Sequence, residues 1–126
     1  MSTSADHSKL VHDILAELGA LPGVVIGANA SGRAKYMSAA GHAFVVPYGW
    51  PVSGGGPDIL AAVAPLGRLI AFEAKTGKAR LTKQQRAVHA ALRAVGVEVH
   101  VVRSVEEARA RFQESSRDKV GREGHQ

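Results

Sequence analysis

Asp58, Glu73, Lys75 and Gln85 are the residues whose types and spacing could do chemistry, all within Gly54–Gln85, GGGPDILAAVAPLGRLIAFEAKTGKARLTKQQ. Side chains of a strand alternate faces, so over Arg68 to Lys75 the residues Leu69, Ala71, Glu73 and Lys75 share one face, and a carboxylate emerges beside an ammonium. Ala64-Pro65-Leu66-Gly67 carries Pro and Gly where a tight turn needs them. Asp58–Val63 and Arg68–Lys75 therefore read as a hairpin that brings Asp58 back beside Glu73. Two carboxylates meeting there repel unless a cation lies between them, and oxygen donors of this kind suit Mg²⁺ or Mn²⁺.

The elements around this hairpin can be read from periodicity. Leu10, Val11, Ile14, Leu15 and Leu18 form one helical stripe, ended by Gly19 and packed on a sheet, with Met1–Ser4 frayed and Asp6, Lys9 and Asp13 in solvent. His7 reads as structural. Val24–Ile26 and Phe44–Tyr48 are short strands around a basic loop, Ala28–Lys35, where Asn29, Arg33 and Lys35 could meet phosphates. Tyr48 and Trp50 read as core plugs sooner than as a stacking platform for bases. Gly54–Gly56 before Pro57 lets the chain bend sharply ahead of Asp58. Thr82 caps a helix to about Val95, with Leu81, Gln85, Val88, Leu92 and Val95 facing inward. An amide on an apolar stripe needs partners, and the end of the neighbouring strand could supply them, so Gln85 is assigned to the site. Lys78, Arg80, Lys83 and Arg86 crowd that helix start, where the helix dipole favours acids, which points to a phosphate-facing surface. Val97–Val102 alternates as a strand with His100 structural, and Ser104 with Glu107 opens a last helix to about Phe112. Residues 114–126 are polar and patternless and are expected to be disordered.

Composition bounds the function classes. A chain of 126 residues is one domain's worth, here residues 1–113 plus the polar tail. The absence of cysteine excludes a thiol nucleophile, a disulfide and a thiolate zinc site. No apolar run approaches a membrane span and no secretory leader is visible, so a cytoplasmic protein is expected. A formal net charge of +5 and a pI near 10.0 fit a polyanionic partner.

The Pro57-Asp58 motif followed by Glu73-Ala74-Lys75 and Gln85 resembles the PD-(D/E)XK nucleases. More narrowly, GGPDIL, FEAKTGKARLTKQQ and VEVHVVRSVEEA resemble the virus-type replication-repair nuclease family, VRR-NUC, over Gly54 to Ala108. The resemblance implies an α/β restriction-endonuclease-like fold with a mixed central sheet flanked by helices. It also implies metal-dependent cleavage of DNA, including branched DNA such as Holliday junctions or flaps, and, in some small members, a homodimer. By that resemblance Asp58 and Glu73 are the metal-ligating carboxylates and the carbonyl of Ala74 completes the shell. Lys75 is then the catalytic lysine, and Gln85 the glutamine of the following helix. The chain has Ser8 where the family often carries a first-helix glutamate, with Asp13 and Glu17 only nearby, and Ala28 where an arginine commonly precedes the loop asparagine. A non-catalytic nucleic-acid-binding module and a small-molecule phosphoesterase are the alternative functions.

Overall fold

The computed structural model describes residues 3–124, with side chains to Ser115. Its elements run α1 (Ser4–Gly19), β1 (Val24–Ala28), β2 (Gly32–Met37), β3 (Ala43–Tyr48), β4 (Ile59–Val63), β5 (Arg68–Ala74), α2 (Lys83–Ala94), β6 (Glu98–Val102) and α3 (Val105–Gly124). Strands β1, β4, β5 and β6 form a mixed sheet in that order. The first two pairings are antiparallel, and β5 to β6 is parallel, crossed over by α2.

Period-two alternation splits the strand side chains between two cores. Ile59, Ile70, Phe72, Ala74 and Val102 turn to one face, where Ile14 and Leu18 of α1 and Ala108 and Phe112 of α3 cover them. Ala71 and Val99 turn to the other, against Leu92 and Val88 of α2 and the ring of Trp50. The sheet is thus a middle layer between α1 with α3 and α2. Strand β5 is buried on both faces, so any polar residue in it must find partners inside the protein.

Several expectations meet a different structure. Thr3 is the N-cap of α1 in a reciprocal capping box with Asp6, so the helix start is fixed from Thr3 onward, while Asp6 stays exposed to solvent as expected and serves the cap as well. The basic loop shrinks to three residues, because Arg33 and Lys35 lie on β2, which pairs with β3 in a separate two-stranded sheet. Val95 is the C-cap of α2 and points to solvent, at 79% exposure. The final helix opens with Ser104 accepting from the Glu107 N–H, as its capping signal predicts, and continues past Phe112 to Gly124. The last two residues of the polar stretch 114–126, and the side chains beyond Ser115, lie outside the described residues. Among the described residues no helix is long and apolar enough to cross a membrane.

Candidate active site

The hairpin places Asp58 immediately before β4 and Glu73 one residue from the end of β5, with Ile59 registered against Phe72. The two carboxyl groups are close enough to share a hydrogen bond. Asp58 is anchored from two sides: the Ala74 N–H donates to its Oδ2 at 2.8 Å, and His7 Nε2 of α1 lies 3.3 Å from the same oxygen. Glu73 is almost wholly buried, and His89 Nε2 of α2 lies 2.9 Å from its Oε1. With the imidazole proton on Nε2 this contact donates to Glu73, and Nδ1, a buried atom with no partner among the described residues, is then a bare lone pair.

The electrostatics follow from this packing. Burial, then the hydrogen bond and charge of Asp58, push the Glu73 carboxyl up from 4.5 to about 9, and the Lys75 ammonium opposes them. Glu73 is therefore protonated at neutral pH when no cation is present. Burial, then the charges of Arg93 and Lys75, hold the His89 imidazole below its ordinary value, so it is a neutral donor. Two carboxyl groups held this close repel when both are ionised, and a cation between them would relieve that repulsion. The fit is to a hard divalent ion that keeps most of its water: Mg²⁺ is commonly held by only one or two carboxylates. Among the described residues no three His, Asp or Glu side chains converge on one point, so the remaining positions would fall to the Ala74 carbonyl and water.

Asp58, Glu73 and Lys75 come together as their spacing predicts. Gln85 does not join them. Its Oε1 accepts the Thr82 N–H at 2.9 Å, and its own N–H bonds Thr82 Oγ1 at 3.0 Å, so the amide is the far half of a helix-capping box. The polar side chain that α2 sends to the site is His89, one turn further along the same face. Sequence spacing could have found it, since 85, 89 and 92 fall on one stripe. His7 is the second unexpected neighbour; it and Ser8 line a cleft of about 270 Å³ that ends at Asp58.

Asn29 acts as a brace. Its amide donates to the carbonyls of Trp50 and of Pro57, the latter at 2.8 Å, and its Oδ1 accepts the Trp50 N–H at 3.1 Å. Both amide protons are thereby used within the chain, leaving none for a phosphate. The Asn29 N–H also donates to the Asp58 carbonyl at 2.7 Å, so one residue fixes the turn into Asp58 and the Trp50 plug together. A Cβ at Gly56 would overlap the Trp50 carbonyl, which makes glycine obligatory in this close approach. Lys78, Arg80, Lys83 and Arg86 are exposed around the start of α2. The loop before them is held from below, where Arg103 donates to the carbonyls of Gly77 at 3.2 Å and Ala79 at 2.7 Å. Arg86 is partly spent on the Leu81 carbonyl, at 2.9 Å.

Among known proteins, no family profile and no curated sequence matches this chain. A solved structure titled "VRR_NUC domain" does match: it aligns over 86% of this chain and 95% of its own length at a TM-score of 0.58 and 18% identity. The chain has the fold of that domain, a mixed sheet flanked by helices.

Proposed function

We propose that the chain is a Mg²⁺- or Mn²⁺-dependent nuclease that hydrolyses phosphodiester bonds in DNA. The observation that carries this reading is the buried Glu73 set beside Asp58 by the hairpin register, next to Lys75, on a VRR_NUC fold. The resemblance extends the proposal to branched substrates, flaps or Holliday junctions in replication, repair or phage DNA processing. It extends likewise to action as a homodimer, whose two-fold related sites could cut opposed strands. A cytoplasmic setting belongs to the same proposal.

Asp58, Glu73 and the Ala74 carbonyl would hold the ion. Bound there, it supplies positive charge against the phosphorane-like transition state and lowers the pKa of an attacking water. The protein's own groups do the rest. The Ala74 N–H and His7 fix the Asp58 carboxylate, and His89 fixes the plane of the Glu73 carboxyl. Lys75 supplies an ammonium at the strand end, which suits orienting water and stabilising the transition state better than removing a proton. The cations Lys78, Arg80, Lys83 and Arg86 lie on the approach to that strand end and could grip phosphates.

The test is cleavage of labelled single-stranded, duplex, flap and four-way-junction DNA with Mg²⁺, Mn²⁺ or EDTA, alongside Asp58→Ala and Glu73→Ala. Metal-dependent cutting that falls by at least about two orders of magnitude in either variant is expected, the scale of a lost preorganised electrostatic group. Near-parental cutting by either variant would refute the assignment. Ser8, where the resembling family often carries a first-helix glutamate, favours one rival, a binding module without turnover. Salt-sensitive DNA binding with no cutting under any metal would establish it.

A further inference from the structure

The β2–β3 hairpin stands apart from both cores. Its strands pair with each other and pack little against other elements. The register puts Tyr36 opposite Phe44, Ala34 opposite Val46 and Gly32 opposite Tyr48, so these residues share one face. The opposite face carries Arg33 and Lys35 beside Pro47, Val45 and Met37. Tyr36, Phe44 and Tyr48 are 53%, 47% and 49% exposed, and the first two rings stack at 5.6 Å between centroids with planes 22° apart. A monomeric domain has no packing reason to display three aromatic rings on one outer face.

Charge indicates what covers them. No acidic residue occurs between Glu17 and Asp58, so the hairpin presents only positive charge. Exposed rings that stack bases, with the long side chains of Arg33 and Lys35 reaching around the edge of the two-stranded ribbon to phosphates, are the two components of a single-strand binding surface. The placement agrees. The chain enters β2 three residues after Asn29 and leaves β3 at Tyr48, and Asn29 bonds both Trp50, just past the exit, and the Asp58 backbone. The root of the hairpin is therefore fixed to the candidate site. Six residues of strand reach roughly 20 Å outward, about the length of six nucleotides of stacked single strand.

We infer that the β2–β3 hairpin is an arm that takes an unpaired polynucleotide strand, stacking bases on Tyr36, Phe44 and Tyr48 and meeting phosphates with Arg33 and Lys35, and leads it to Asp58. This deepens the nuclease reading and rests on it. It also names the substrate class at the arm: a single-stranded segment, such as that flanking a junction or forming a flap.

The test uses the full chain carrying Glu73→Gln, in EDTA so that nothing is cut. Fluorescence anisotropy is read with a labelled 12-nucleotide thymidine strand and with a blunt duplex. Tyr36→Leu with Phe44→Leu keeps the apolar surface and removes stacking. It is expected to weaken the single strand by about ten- to a hundredfold, within the range for one stacked base, with duplex binding and the salt slope unchanged. Arg33→Gln with Lys35→Gln should instead lower the single-strand salt slope by about 1.4. Tyr36→Trp, a direct reporter of stacking, should lose emission when the strand is added. Parental single-strand affinity in the leucine variant, or unquenched Tyr36→Trp emission with the strand bound, overturns the arm while leaving the nuclease reading standing. A leucine variant that binds as the parent does but sediments as a smaller species assigns the face to a second copy of the chain. If the parent binds neither strand nor duplex, the nuclease reading falls together with the arm.

Discussion

The proton on Glu73 should make divalent-ion binding depend on pH in a way that an ordinary surface carboxylate would not. With its carboxyl pushed up to about 9, Glu73 in the metal-free protein is ionised in only about one molecule in a hundred at pH 7. An ion that takes Glu73 as a ligand must displace that proton, so binding releases about one proton and its affinity climbs about tenfold per pH unit over the range below 9. The folded protein without metal responds in the opposite sense. The carboxyl is raised above its unfolded value of 4.5, so its stabilising contribution is complete below pH 4.5 and is lost as pH rises through 9. Between those limits stability falls by on the order of 1 kcal/mol per pH unit. Titration calorimetry with Mn²⁺ at pH 6, 7 and 8, in buffers of different ionisation enthalpy, reads affinity and proton release together. Urea unfolding in EDTA over the same range reads stability. Glu73→Gln retains an oxygen for the His89 N–H but cannot ionise, so it should bind Mn²⁺ poorly and lose most of the downward slope of stability. A Mn²⁺ affinity flat from pH 6 to 8 with no proton released, or a Glu73→Gln protein with the parental stability slope, would refute the argument.

Three further outcomes follow from side chains that hold the site. His89→Ala leaves a cavity and an unpaired Glu73 oxygen where exposure is 0%, so urea unfolding should show a loss of about 3 kcal/mol, and cleavage should fall with it. Asn29→Asp replaces both donors to the Trp50 and Pro57 carbonyls with acceptors; a loss of at least about 2 kcal/mol is expected, with cutting impaired even well below the melting temperature because the turn into Asp58 is released. Gln85→Ala removes only one half of a capping box, so it should cost about 1 kcal/mol of stability and leave the cleavage rate per folded molecule within about twofold; a hundredfold loss of rate would return Gln85 to the site.

What was legible in the sequence was legible for local reasons. The Asp58–Glu73 pairing needed only a period of two and a turn, and both are written in consecutive residues. Gln85 was misplaced because two local signals compete there. It lies on the inward stripe, and it also stands three residues after Thr82, the spacing of a capping box, and the cap claims its side chain. His89 then fills the position facing Glu73, because a buried carboxyl needs a donor and α2 offers no other polar group at that height of the stripe. His7 could be placed only by the docking of α1 across the sheet, a contact between residues 51 apart in the chain.

Strand β2 escaped reading for a different reason, and that reason bears on function. Periodicity reveals a strand when one face is buried and the other solvated, and Gly32–Met37 has no such contrast: Arg33 and Lys35 alternate with Gly32, Ala34 and Tyr36, and every residue but the half-buried Ala34 is exposed. The same feature that hid the strand distinguishes it from every strand of the central sheet. A segment whose alternation serves no core is selected, if at all, for what it meets outside. The Asn29 brace, which ties the root of that segment to Asp58, is the physical link between the outward-facing hairpin and the Asp58–Glu73 pair.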